Sequence, residues 1–227
     1  MPQNLSIVFP RSFCPHCQKP IPAYDNIPLL SYLFLSGKCR YCQKKISWRY
    51  PLVEGLTGTI ALLLYVQFGL TWVFLSLSAF AAAMIVITFI DLDHRIIPDV
   101  ISLPGIGVGL LLSFFLHMIS VKDSLIGILA GGGTLFAVAY IYEAVTKREG
   151  MGGGDVKLLA MIGAWLGWKA ILFTLFFASL SGTFIGGGMM LLQKQGRHYA
   201  IPFGPFLAFS ALTYIFFGPQ LIDWYLG

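Results

Sequence analysis

Residues 71–99 read TWVFLSLSAFAAAMIVITFIDLDHRIIPD, and their first twenty, Thr71 to Ile90, carry no charge before a cluster of acids begins at Asp91. An α-helix needs ~20 predominantly apolar residues to cross ~30 Å of hydrocarbon. The stretch therefore reads as a membrane-spanning helix at about 71–91 that ends in carboxylates. Outward from it, further apolar runs predict helices at about 51–69, 99–119, 124–146, 154–167, 169–192 and 201–217. The 154–167 run is short and is read as tilted, half-inserted or joined to its neighbour. Composition agrees: 57% of the chain is hydrophobic, 11% is charged, and the mean hydropathy is +0.77. Ordinary globular chains carry ~25% charged residues, so a soluble globular domain is excluded. The expected fold is an all-α, polytopic membrane helical bundle of about seven helices, preceded by a small cytosolic head.

The chain divides by composition into a head, residues 1–50, and a transmembrane body, residues 51–227. Seven of the 15 Lys and Arg residues fall in the first fifty positions. No signal peptide is read at the start, because the short apolar stretch Leu5–Phe9 has no basic flank and no small-residue cleavage site. With the head in the cytosol, Arg95, Lys147, Arg148, Lys157, Lys194 and Arg197 join its seven cations on that side. Only Lys122 and Lys169 then lie outside, as the positive-inside rule requires. The basic head faces acidic lipid head groups, and no nucleic-acid partner is expected. Glycine pairs Gly105/Gly109, Gly127/Gly131 and Gly182/Gly186 have the small-xxx-small spacing of closely packed membrane helices. Trp72, Trp165, Trp168 and Trp224 fall near predicted helix ends and are read as interfacial anchors.

All four cysteines lie in the head, as Cys14-Pro-His-Cys17 and Cys39-Arg-Tyr-Cys42, with twenty-one residues between the pairs. Two such pairs can close a tetrahedral four-thiolate zinc site, and metal binding would supply the folding energy of a short, proline-rich segment. His16 is read as a bystander. Two other readings compete: a thiol–disulfide oxidant, which needs a surrounding βαβ unit, and two structural disulfides, which need an oxidising compartment.

Two acidic clusters remain. Asp91, Asp93 and Asp99 occupy the end of the 71–91 helix and the start of the next. Asp155 follows the glycine run Gly150-Met-Gly-Gly-Gly154 and precedes Lys157. Both clusters fall on the cytosolic face in this topology. Carboxylates at membrane depth are costly and mark reactive or transport sites. Two close carboxylates share a proton, so one can act as base toward water while the other protonates the leaving group. The glycines leave room for an extended substrate against bare backbone. Against this stand loop charges, local ion pairs, a helix cap at Asp99 and a merely flexible glycine connection. Proton- or ion-coupled transport is a rival use of the same carboxylates, although transporter sites usually lie near the midplane.

Taken in order, these motifs resemble the bacterial type IV prepilin peptidases, also called prepilin leader peptidase/N-methyltransferases. The resemblance rests on Pro10-Arg11-Ser12 before the first cysteine pair and on Tyr24-Asp-Asn-Ile-Pro-Leu-Leu-Ser-Tyr32. It continues through Gly37-Lys38-Cys39, Ile46-Ser47, Arg49-Tyr50-Pro51 and Glu54. In the body it is carried by Asp91-x-Asp93, by Pro98-Asp99, and by Gly152-Gly153-Gly154-Asp155 with Lys157. The resemblance implies an aspartyl protease of the Gly-x-Gly-Asp type in the bacterial inner membrane. Such an enzyme cuts the basic leader from type IV prepilins or type II secretion pseudopilins on the cytosolic side. It implies that Asp91 and Asp155 are catalytic, with Asp93, Asp99, Gly152, Gly154 and Lys157 supporting them. It further implies methylation of the new amino terminus from S-adenosylmethionine, associated with the head around Gly37 and Lys38, whose cysteines Cys14, Cys17, Cys39 and Cys42 are read above, from their spacing, as the zinc ligands. A peptidase without methyl transfer is the alternative. The family's usual helix ahead of the first cysteine pair is expected to be missing here, which leaves seven helices of eight. Oligomeric state is not legible.

Overall fold

The structure, a computed structural model, describes residues 12–147, 152–193 and 202–226. Pro10, Arg11, Arg148, Gly150, Met151, Lys194 and Arg197, all used in the reading above, lie outside the described residues. The described chain is all-α, as expected. It holds a 3-10 turn at Ala23–Asn26, then α1 (Leu30–Phe34), α2 (Arg49–Phe68), α3 (Trp72–His94), α4 (Asp99–Leu116) and α5 (Val121–Thr146). After these come α6 (Gly153–Leu166), α7 (Trp168–Gln193) and α8 (Gly204–Leu226). Among the described residues the only extended pairings are two isolated bridges, Phe13 with Pro20 and Lys38 with Lys45.

Among the described residues, five helices are long and apolar enough to cross a membrane: α2, α3, α4, α5 and the Trp168–Gly188 part of α7. Many of their exposed positions are large and apolar, with Leu129, Val145, Phe115 and Phe184 all more than two-thirds exposed. Side chains of this kind are stable only against lipid or protein, so the chain is a multi-pass membrane protein.

Two compact units make up the chain, Met1–Ser78 and Ala79–Gly227. The second is organised around α6. Nine consecutive residues of this helix, Leu158–Leu166, are buried, and α4, α5, α7 and α8 all pack against it. A helix that is apolar on every side belongs in a core. The short 154–167 run is therefore the centre of its unit, and its fourteen residues need no lipid contact.

Small residues permit this burial. Gly105 and Gly109 of α4 face the side chains of Met161 and Trp165, and Gly127 and Gly131 of α5 face the backbone of Gly163 and Leu159. At the Gly127–Gly163 crossing each glycine presses on the other's carbonyl, so neither position has room for a Cβ. Two hydrogen bonds cross these seams. Trp165 Nε1 donates to the Gly105 carbonyl at 2.8 Å, and Ser124 Oγ donates to the Ala164 carbonyl at 2.8 Å.

Trp165 departs from the expected interfacial anchor. It is buried, packs on Phe80 at 5.1 Å between ring centroids, and has its indole N–H satisfied by α4. Its position near a helix end misleads because that helix is interior. Trp168 donates instead to Asp123 Oδ1 at 3.1 Å, and Trp72 is exposed as an anchor should be. The Trp224 side chain is outside the described residues.

The second unit has two distinct ends. Asp123, Gly167 and Trp168 meet at one, flanked in sequence by Lys122 and Lys169. The other gathers the last turn of α3 with the first turns of α4, α6 and α8.

The α5–α6 seam makes a direct prediction. Gly163→Leu should destabilise the protein by roughly 3 kcal/mol or more, because a backbone carbonyl cannot yield as a side chain can. Gly133→Ala, on the same helix pair with nothing within 4 Å, should be neutral or stabilising by up to about 1 kcal/mol. Thermal unfolding of the two variants in detergent checks this contrast.

Candidate functional site

Helix α3 stops just past its first acidic residue. Arg95 adopts a left-handed conformation, φ 55°, and its N–H bonds to the Asp91 carbonyl at 2.8 Å, closing the helix end. Ile96 and Ile97 then run to Pro98, which has an extended conformation and caps α4. This tight reversal places three groups. Asp91 stays on the last turn of α3 and is only 5% exposed. Ile97 is buried in the turn itself. Asp99 opens α4 on the surface.

Ile97 is the wedge of the arrangement. A Cβ placed on Gly154 would meet Ile97 Cβ at 2.9 Å, and one placed on Gly204 would meet Ile97 Cδ1 at 3.3 Å. The side chain thus packs between the first turns of α6 and α8. Gly204 also touches Asp91: its backbone N–H donates to Asp91 Oδ2 at 3.1 Å, and an added Cβ would lie 2.6 Å from that oxygen. The first turn of α8 consequently directs an N–H and the positive end of its helix dipole at a carboxylate. Asp155, half-buried in the first turn of α6, is an electrostatic neighbour of Asp91. Two carboxylates separated by sixty-four positions in sequence are thereby brought to one end of the unit.

The remaining acidic-cluster residues are placed differently. Asp93, two residues beyond Asp91 on the same helix, is exposed. Lys157 Nζ binds both oxygens of Asp99 at 2.8 Å, tying the first turn of α4 to that of α6 on an exposed surface. Gly154 is required by its contact with Ile97. Gly152 and Gly153 have open space where a Cβ would stand, apart from a backbone nitrogen 4.0 Å from the former.

Two residues of this site, Ile97 and Gly204, were not singled out from sequence. Ile97 reads as one more apolar residue. Gly204 carried a usable signal, since it sits between Pro202-Phe203 and Pro205. A glycine so enclosed at a helix start marks a close backbone approach.

In the first unit the four cysteines converge. All four are free, and their sulphurs lie within 4.8 Å of one another. Cys14 Sγ is 3.8 Å from Cys42 Sγ, and Cys17 Sγ is 4.0 Å from Cys39 Sγ. The edge of a tetrahedron with Zn–S bonds of about 2.3 Å is about 3.8 Å, whereas a disulfide needs about 2.05 Å. The cluster can therefore hold a metal ion, and the donor set suits a soft or borderline one. Backbone N–H groups of Cys17 and His16 hold the Cys14 thiol down to about 6, while, against the Lys44 N–H, burial and the other three cysteines push Cys42 up to about 11, so the metal-free cluster favours a thiolate at Cys14 and a thiol at Cys42.

The cluster is built by a structural repeat. Cys14 and Cys39 each accept at their carbonyl from the residue four places on, Gln18 and Gln43. Each also donates its N–H to the carbonyl five places on, Lys19 and Lys44. Gln18 and Gln43 both have left-handed φ, 55° and 56°. Ile21 bonds back to Ser12 as Ile46 does to Gly37. The pattern was legible as Cys-x-x-Cys-Gln-Lys-x-Ile at residues 14–21 and 39–46, and was passed over. The second loop is tied to the 3-10 turn by a bidentate ion pair, Arg40 to Asp25, with Nε to Oδ2 at 2.7 Å. Hydrogen bonding to Arg40 holds the Asp25 carboxyl below the usual range. Gly37 is buried with φ +66°, and Lys38 beside it is exposed.

Comparison with known proteins agrees with both halves of this architecture. Residues 1–68 match the family model described as Bacterial Peptidase A24 N-terminal domain, and residues 78–187 match the Type IV leader peptidase family. The chain is 43% identical to a protein of Aeromonas hydrophila over 99% of its own length and 77% of the relative's. It is 39% identical to a protein of Pseudomonas aeruginosa over 97% and 76%, and 40% identical to one of Neisseria gonorrhoeae over 92% and 71%. Each of these relatives bears the name prepilin leader peptidase/N-methyltransferase. No solved structure matches. With a family model over residues 78–187 and relatives of this identity along nearly the whole chain, the protein belongs to the Type IV leader peptidase family.

Proposed function

We propose that the protein is a membrane aspartyl endopeptidase that removes the basic leader from type IV prepilins or type II secretion pseudopilins, then methylates the new amino terminus. Membership of the family supports the substrate class, and the relatives' names couple the two activities. The observation that supports the mechanism is that Asp91 and Asp155 lie at the same end of the second unit, on helix ends joined through Ile97 and the Gly204 N–H. One carboxylate takes a proton from water as the water attacks the scissile carbonyl, and the other donates a proton to the departing amine. The two exchange these protons as a coupled pair, so the reaction regenerates the starting state. Gly204 fixes Asp91 by an N–H bond that no side chain interrupts. The open space at Gly152 and Gly153 accepts extended substrate backbone, and the Asp99–Lys157 pair braces the two helix starts that flank it. A carboxylate-gated transporter is not favoured by this family membership.

In this reading residues 1–50 form the zinc-binding head and residues 51–227 the peptidase domain. Cys14, Cys17, Cys39 and Cys42 would hold zinc as a closed, structural site, fixing the two loop repeats that the short head could not otherwise order. S-adenosylmethionine, when bound, supplies a methyl group on a sulfonium. The acceptor would be the new terminal amine of the cut pilin. Gly37 and Lys38 belong to this part of the chain. The protein works in the bacterial inner membrane with head and aspartates on the cytosolic side, where 13 of its 15 Lys and Arg residues are assigned by the positive-inside rule.

Replacing a catalytic carboxylate by its amide keeps the volume and removes the acid–base function. Asp91→Asn and Asp155→Asn should each lower prepilin cleavage by roughly 10²–10⁴-fold in reconstituted membranes, with folding and insertion retained. Cleavage at wild-type rate by both variants would overturn the dyad. Gly204→Ala should lower the cleavage rate by about tenfold or more with little change in KM, since it displaces a carboxylate and touches no substrate. Metal analysis of the purified protein should find one zinc per chain. Cys17→Ser or Cys42→Ser should lose it and leave the head open to proteolysis. The mass of the mature pilin terminus separates the bifunctional enzyme from a peptidase alone, since only the former leaves it one methyl group heavier.

A further inference from the structure

Helix α1 is inside out. It turns Ser31 inward, 9% exposed, and carries Leu30, Leu33 and Phe34 outward at 51%, 71% and 84% exposed. These three have the i, i+3, i+4 spacing of a single helix face. Ser31 is occupied on the inner side: its Oγ accepts the Ile27 N–H at 3.0 Å and donates to the Tyr24 carbonyl at 3.2 Å. None of the three apolar side chains lines the concave cavity between α1 and the cysteine loops. Water favours the opposite arrangement, so the medium that this face meets is apolar.

The inversion is enforced from α2. Leu29, just ahead of α1, has φ 60° and ψ −47°, and the Leu30 N–H reaches back to the Pro28 carbonyl at 2.6 Å. This is a γ-turn of the rare, strained hand, and such strain persists only where surrounding structure holds it. Glu54 does so, its Oε2 accepting the Leu29 N–H at 2.8 Å, while Leu29 Cδ2 packs 3.8 Å from where a Cβ on Gly55 would stand. Glu54 and Gly55 lie in the second turn of a membrane-crossing helix that begins at Arg49. At ~1.5 Å per residue they stand roughly 8 Å along it. Trp48 and Tyr50, both exposed beside Arg49, mark the head-group level where α2 enters. Interfacial segments bury their apolar face ~5–10 Å beyond that level, and Leu29 is fastened at this depth.

Charge favours the same surface. Residues 12–48 hold Lys19, Lys38, Arg40, Lys44 and Lys45 against one acid, Asp25, which Arg40 already neutralises. Lys38 and Lys45 are paired side by side on the bridge that closes the second cysteine loop, and both are exposed.

We propose that the Leu30–Leu33–Phe34 face of α1 is a membrane anchor, inserted beside α2 into the leaflet where α2 begins, with Lys38 and Lys45 on anionic head groups above it. The occupant is the bilayer, because the face is fastened to a spanning helix at bilayer depth and its basic surroundings attract anionic lipid. The anchor fixes the cysteine-bearing head at the membrane surface. Neither the peptidase nor the methyltransferase reading is required for it.

The full chain is reconstituted in vesicles of equal parts phosphatidylethanolamine and phosphatidylglycerol, at no more than one copy per vesicle. It is then photolabelled with a diazirine that dissolves in the hydrocarbon, and the labelled peptides are mapped by mass. Label should fall on Leu30–Phe34 as well as on α2. Leu33→Gln with Phe34→Gln should lower the α1 label about tenfold or more, with the α2 label and the metal content of the head unchanged. Phosphatidylcholine in place of phosphatidylglycerol should lower it severalfold, and equal labelling in the two lipids overturns the part given to the lysines. Wild-type labelling decides the matter even where the double variant misfolds: an unlabelled α1 overturns the anchor. Label that fades when several copies share a vesicle assigns the face to a second chain, and label that fades when prepilin is added assigns it to substrate. Either result overturns the anchor as well.

Discussion

The contact on which the second unit depends is that of two backbones, where Gly127 of α5 and Gly163 of α6 press directly on each other. Only hydrogen at both Cα positions allows helices to approach so closely, and dispersion across such a seam is a main source of association where lipid removes the hydrophobic effect. The seam runs on through Gly131 against Leu159, and α4 closes the other side with Gly105 and Gly109. A fourteen-residue helix too short to be a comfortable span is in this way sealed inside protein. Its first turn, with Asp155, inherits the rigidity of that burial.

The geometry of the candidate site is therefore a property of helix ends. Asp91 sits on the last turn of α3 and Asp155 on the first turn of α6, while Gly204 opens α8. Helix ends carry unpaired backbone groups and partial charges, so they can address a carboxylate without a dedicated side chain. The Gly204 N–H does so at 3.1 Å. Ile97 fills the space between the first turns of α6 and α8, a function that needs shape and no polarity.

The first unit solves a different problem. It has too few buried apolar residues to fold as an ordinary core, and among its described head residues Cys14, Ser31, Gly37 and Cys39 are the buried ones. Two copies of one loop, each closed by the same pair of backbone hydrogen bonds and a left-handed glutamine, bring four sulphurs to the corners of a tetrahedron. A metal held there would replace the missing core. The ion pair of Arg40 with Asp25 and the bond from Leu29 to Glu54 then shape what the loops enclose.

Much of this was legible in the sequence because it depends on local composition. Uncharged runs of membrane-crossing length marked the helices, cysteine spacing marked the metal-ready cluster, and carboxylates beside long apolar runs marked two acidic clusters, from which the family resemblance picks out Asp91 and Asp155. The glycine pairs announced close packing without naming their partners. What required the tertiary structure was every relation between distant segments. Trp165 near a helix end was read as a lipid-interface anchor, but its helix is interior, so the ring is core. Ile97 and Gly204 gain meaning only from contacts with residues more than fifty positions away. The sequence by itself determined which groups carry charge, which segments prefer hydrocarbon and where the chain can turn, since these are properties of individual residues and their neighbours. Only the tertiary structure decided which of those groups meet, because that follows from which helix faces lack a Cβ and so allow two backbones to touch.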